Sequence, residues 1–128
     1  LPEAATLLGV KEAKNLEEMA EQGRALLSLG PKAVLMKGGH LESEESPDLL
    51  VMANEELLFG GARVTTKNTH GTGCTLSAAI AALYPAHGVK NGVRLAKDYI
   101  EGAMRHADRL NIGKGIGPTH HSYRWWGC

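Results

Sequence analysis

The sequence is poor in cysteine and aromatics, and it lacks both an excess of either charge and any long apolar run. Lys plus Arg number 14 and Asp plus Glu number 14, so the formal net charge is zero. No global field is available to recruit nucleic acid or an anionic membrane, and neither partner is expected. No apolar run approaches the roughly 18 residues that cross a bilayer. A secretory signal pattern is also missing, so cytoplasm is the expected location. The two cysteines, Cys74 and Cys128, cannot build a disulfide framework. Six histidines invite a metal reading, but there is no C-x-x-C and no H-E-x-x-H spacing. The adjacent His120 and His121 would diverge on an extended backbone. No internal repeat appears.

What is present suits a globular α/β chain. Hydrophobic residues make up 43% and charged residues 22% of 128 positions, enough for one modest domain spanning 1–128. The chain opens on Leu1-Pro2-Glu3 without Met and is read as a piece of a longer protein. Pro2 suits the first turn of a helix that Gly9 stops. From Asn15, the apolar positions Leu16, Met19, Ala20, Leu26 and Leu27 follow a helical period that Gly30-Pro31 ends. Ala33–Met36 reads as a strand buried on both faces of a parallel sheet.

The polar stretch His40–Pro47, with Glu42, Glu44 and Glu45, reads as a solvated loop. Asp48–Met52 and Leu57–Val64 are two strand candidates about a turn at Ala53–Glu56, with Gly60-Gly61 as a bulge or bend. Leu76–Tyr84 is read as a helix closed by Pro85, and Val93–Leu110 as a second helix with a stripe of Val93, Ala96, Ile100, Ala103, Met104 and Ala107. The tail carries Gly113, Gly115, Gly117 and Pro118 and is mostly irregular. Trp125 and Trp126 are expected to dock onto the body. Three strands cannot cover helices on two faces, so further strands are expected upstream.

Two elements carry chemistry. The first is His70-Gly71-Thr72-Gly73-Cys74 at a predicted helix start. The first amides of a helix have no partner within it, and the dipole adds positive potential there. Gly71 and Gly73 allow close approach of an anion, with the Thr72 hydroxyl as an extra donor. A first-turn cysteine is favoured as thiolate and can accept a proton from a substrate hydroxyl as a general base. Taken alone, the motif is also read as a tight loop over an inert, packed cysteine, with His70 stabilising either the loop or the cradle. The second element is Lys37-Gly38-Gly39-His40 at a strand end, where ligands of open α/β sheets gather. Lys37 there can meet phosphate as a point charge, or can simply be solvated.

Together these residues resemble a known family. Val34-Leu35-Met36-Lys37-Gly38-Gly39-His40-Leu41, Ser46-Pro47-Asp48, the run Thr66–Ala79 through Thr69-His70-Gly71-Thr72-Gly73-Cys74, and Gly113–His121 are similar to hydroxymethylpyrimidine/phosphomethylpyrimidine kinases of thiamine biosynthesis. The likeness runs from Leu1 to Trp126 and covers the C-terminal portion of such enzymes. It implies the C-terminal half of a three-layer α/β/α ribokinase-like sandwich, with the N-terminal half of the same protein as a required partner. It also implies ATP-dependent phosphorylation of a hydroxymethylpyrimidine and then of its monophosphate. The cofactors so implied are ATP and Mg²⁺, and a homodimer is implied for the full-length protein. By the same resemblance Gly71, Thr72 and Gly73 would form an anion hole and Cys74 would hold the base position. Lys37 would contact the transferring phosphate, and Glu3 would help place Mg²⁺ through water. The 128 residues alone are expected to be inactive.

Other readings remain at this level. A pyridoxal-type kinase of the same fold shares the cysteine. A cysteine-nucleophile hydrolase would use Cys74 with His70, but offers no third orienting residue and leaves Lys37 unexplained. A nucleotide-binding module without chemistry would keep the cradle alone.

Overall fold

The computed structural model describes residues 1–39, 41, 45, 47–61 and 64–126. His40, Glu42, Glu44, Ser46, Ala62, Arg63 and Cys128, on which some of the sequence readings fall, lie outside them. The chain divides into two units, Leu1–Arg63 and Val64–Cys128.

In the first unit, helix α1 (Pro2–Leu8) starts on its proline and ends at Gly9, whose φ of 66° is the left-handed conformation glycine adopts freely. Helix α2 (Leu16–Leu27) is capped by Asn15, whose side chain accepts from the Glu18 amide at 2.9 Å. Glu18 reaches back past the cap to accept from the Lys14 amide at 2.8 Å, a bond like that of the capping box but one residue further out. Strands β1 (Ala33–Met36), β2 (Asp48–Met52) and β3 (Glu55–Phe59) form one sheet in the order β1-β2-β3.

Both ladders are antiparallel, with Met36 opposite Leu49 and Asp48 opposite Phe59. Helix α2 packs on β1 and β2. Its Met19 joins Met36, Leu49 and Val51 in a core cluster that also includes Leu1, Ala4, Ala13 and Leu41. The approach is close because residue 23 is glycine. A Cβ there would come within 2.7 Å of the Val51 side chain and 3.1 Å of Met36.

Two strand expectations are corrected here. Among the described residues β1 pairs antiparallel, with β2, and Ala33, Val34 and Leu35 are only half-buried. A short apolar run reports burial but carries no information on strand direction. The hairpin turn is Ala53-Asn54 alone, because Glu55 pairs with Met52 and Glu56 with Val51. Glu56 is tied to Arg24 of α2 at 2.5 Å, so two acidic residues that read as a turn belong to the strand. Gly60 follows β3 instead of bending it.

In the second unit, α3 spans Thr72–Arg105 but is broken at Gly88, with φ 73° and ψ 177°. A continuous helix would set residues 84 and 92 roughly 12 Å apart along its axis. Instead, a Cβ on Gly92 would lie 3.3 Å from the Tyr84 Cα, so the helix folds back at the break. Pro85 therefore does not close the first arm as expected. Its fixed φ is compatible with helix, whereas the φ of Gly88 is not. Both arms also begin earlier than their apolar stripes suggest. Val93, Ala96, Ile100, Ala103 and Ala107 form the buried stripe of the second arm and of the 3-10 turn (Ala107–Arg109) that follows.

The tail is laid along that arm. The Tyr123 ring lies where a side chain on Gly102 would project, and it stacks on His106 at 5.0 Å. The His120 amide donates to the Ala103 carbonyl at 3.0 Å. The tryptophans are not docked as expected. Trp125 is 76% exposed, and Trp126 meets the His120 ring edge-on at 4.5 Å. Tyr123 takes the docking role because the missing side chain at Gly102 leaves room for a flat ring.

Candidate active site

The glycine turn of the second unit is built from a buried asparagine outward. Asn68, 4% exposed, donates to the Ala107 carbonyl and to Asp108, both at 3.1 Å. The Thr66 hydroxyl donates to the same Asp108 carboxylate at 2.5 Å. The chain then pairs with the tail. The His70 amide donates to the Gly117 carbonyl at 3.0 Å, and the Thr119 amide to the His70 carbonyl at 3.4 Å. A side chain at residue 117 would collide with that of Asn68, so a glycine is required there.

Gly71 turns the backbone with φ 81° and ψ 6°, and α3 begins at Thr72. The Thr75 amide makes the first helical bond, to the Gly71 carbonyl at 2.8 Å. The Thr72 hydroxyl donates to the Thr69 carbonyl at 2.6 Å, and the Thr72 amide leans on the same oxygen at 3.3 Å. The expected extra donor is thus used within the turn. The amides of Gly73 and Cys74 are the next two of the helix, and among the described residues they meet no backbone or side-chain acceptor. A Cβ placed on Gly71 or Gly73 would meet nothing within 4 Å, so no protein atom crowds the α-carbons of the turn. Cys74 is a free, exposed thiol, unlike the packed cysteine of the inert reading.

Lys37 and Glu3 belong to the first unit. The Lys37 ammonium pairs with Asp48 at 3.1 Å, and the other oxygen of that carboxylate accepts from the Gly38 amide at 3.0 Å. Asp48 is 1% exposed, while the Lys37 side chain keeps 42% of its surface. A buried carboxylate therefore holds the lysine at its strand end and leaves part of it accessible. Gly38 passes the Pro47 carbonyl where a side chain could not fit. Glu3 lies in the first turn of α1 with its side chain 86% exposed. Among the described residues no group of three His, Cys, Asp or Glu could hold a metal ion. None of their helices is long and apolar enough to cross a membrane.

Sequence reasoning missed the roles of Asp48, Asn68, Thr75 and His121. The first had a signal: once Met36 pairs with Leu49, Lys37 falls opposite residue 48. The other three depend on partners far along the chain.

Residues 1–120 match the phosphomethylpyrimidine kinase family. The chain belongs to that family. A hydroxymethylpyrimidine/phosphomethylpyrimidine kinase of Salmonella typhimurium is 56% identical over 127 residues, which are 98% of this chain and 48% of the relative. The chain thus spans about half the length of the curated relatives it matches. Among solved structures, a Bacillus subtilis pyridoxal kinase in an ADP complex superposes with a TM-score of 0.87 at 32% identity. That match covers 97% of this chain and 48% of the other. A Staphylococcus aureus pyridoxal kinase with AMP-PCP and pyridoxal gives 0.88 at 25% identity, covering 97% and 46%. The family assignment and these superpositions agree with the ribokinase-like α/β fold expected from the sequence, of which this chain carries one part.

Proposed function

We propose that residues 1–128 are the C-terminal part of a single kinase domain. The whole protein would phosphorylate 4-amino-5-hydroxymethyl-2-methylpyrimidine and then its monophosphate with ATP, in the cytoplasm, on the route to thiamine. The observation that carries the reading is the start of α3, where an exposed thiol stands beside two amides that meet no acceptor among the described residues. Family membership and the nucleotide-bound relatives support the reaction class.

In this mechanism Cys74 takes the proton of the substrate hydroxyl, whose oxygen attacks the γ-phosphorus of ATP as the bond to the β–γ bridging oxygen breaks. The Gly73 and Cys74 amides hold charge on the transferring group, with the Gly71–Thr72 turn presenting them. Preorganised donors of this kind are worth about 3 kcal/mol each in barrier height. Lys37 meets the phosphate as a point charge. His70 supports the cradle through its backbone pairing with the tail. Glu3 fits a water-mediated hold on Mg²⁺, because that ion keeps much of its hydration shell and needs only one or two carboxylates. The metal would supply neutralisation of phosphate charge.

A pyridoxal-type alcohol is the second reading, favoured by the likeness to pyridoxal kinases. The test is an ATP-dependent phosphorylation assay of the full-length protein with the pyrimidine and with pyridoxal, as wild type and Cys74→Ala. We expect the pyrimidine to be the better substrate and Cys74→Ala to lower kcat about 100-fold or more, the usual scale of general-base catalysis. A covalent acyl adduct on Cys74 would instead indicate a hydrolase, and ATP binding without product a binding module. We expect the full-length protein to be a homodimer and the isolated 128 residues to be inactive. Full-rate turnover by those residues alone would overturn the need for the N-terminal half.

A further inference from the structure

The tail residues Gly117–His121 touch the glycine turn on both sides. On the entry side, the His70 amide donates to the Gly117 carbonyl at 3.0 Å and the Thr119 amide to the His70 carbonyl at 3.4 Å. On the exit side, the His121 Nε2 shares a 2.8 Å hydrogen bond with the hydroxyl of Thr75, the residue after Cys74. His121 is itself held. The Tyr99 hydroxyl of the second arm of α3 donates to its carbonyl at 2.7 Å, and the Thr119 hydroxyl lies 3.5 Å from the same ring nitrogen. A threonine in a helix can turn its hydroxyl back to the carbonyl four residues earlier. Ser77 does so, donating to Gly73. Thr75 bonds to the tail instead, and the imidazole that shares that bond is exposed. Packing of the tail onto the helix is supplied elsewhere, by Tyr123 at Gly102 and His120 at Ala103.

We propose that His121 is a positioning residue that fixes the first turn of α3 through Thr75, so that the Cys74 thiol and the Gly73 and Cys74 amides keep their aim. The inference rests on the kinase reading above. Catalysis by preorganised groups is steep in geometry, since a misplacement of 1 Å can cost about 100-fold in rate. A single surface hydrogen bond contributes little to global stability. The effect therefore belongs in kcat and not in melting temperature.

The experiment uses the full-length protein and compares His121→Ala, Thr75→Val, the double variant, His121→Gln, Thr75→Ser and Cys74→Ala. We expect His121→Ala and Thr75→Val each to lower kcat roughly 10-fold, a fraction of the misplacement limit. Both KM values and the melting temperature should hold. The double variant should be no worse than either single one, the signature of one shared interaction. Glutamine, which can donate or accept at similar reach, and serine should restore most of kcat. This positioning role is overturned if His121→Ala stays within about twofold of wild type while Cys74→Ala loses about 100-fold or more, or if the two losses multiply. If Cys74→Ala turns over like wild type, the base assignment falls and the positioning role falls with it.

Discussion

In the first unit Met19, Met36, Leu49 and Val51 meet between a helix and a three-stranded ladder. In the second, by contrast, the turn at Gly71 is held by Asn68, His70, Thr119 and His121 through individual polar bonds. The hydrophobic effect is non-directional and scales with the area buried, whereas a hydrogen bond depends on its distance and angle. The first unit holds Lys37 against the buried Asp48 carboxylate, and the second presents two amides, with no acceptor among the described residues, beside a thiol.

That contrast can be broken by substitution in the full-length protein. The largest effect on stability is expected from Met19→Ala, at a position with no exposed surface. It should cost about 2–5 kcal/mol in chemical denaturation with little change in kcat per folded molecule. Gly117→Ala comes next, since its new methyl would strike the Asn68 side chain. We expect about 1–3 kcal/mol of destabilisation together with a fall in kcat measured on the folded fraction. Unchanged turnover there would mean that the turn tolerates a displaced tail, and the contrast between the units would dissolve. The smallest effect is expected from Asn15→Ala, which removes the cap of α2. About 1 kcal/mol should be lost in thermal or chemical unfolding, with kinetics untouched.

Features with local punctuation were legible in the sequence. Pro2 and Gly9 bound α1, the apolar period from Asn15 marks α2, and a glycine turn followed by an alanine-rich run announces α3. The candidate site was legible for the same reason, since an unpaired helix start beside glycine is a local event. Strand direction was not, because Ala33–Met36 is equally apolar whichever way its partner runs. Pro85 is the more conspicuous breaker in the sequence, yet only the glycine at 88 can readily adopt the positive φ that the fold-back needs. Least legible was the grip of the tail. Thr75 and His121 are 46 residues apart, and no spacing rule joins two polar residues at that distance.

The same separation orders the assembly of the site. Emerging from the ribosome, the glycine turn is made well before the segment that grips it, and closing so long a loop carries an entropic cost that local helix formation does not. The glycine turn therefore acquires all the bonds that hold it only after residues 117–121 have been synthesised. Until then, a nascent chain can carry the Cys74 thiol and the glycines of the turn without the contacts that fix them.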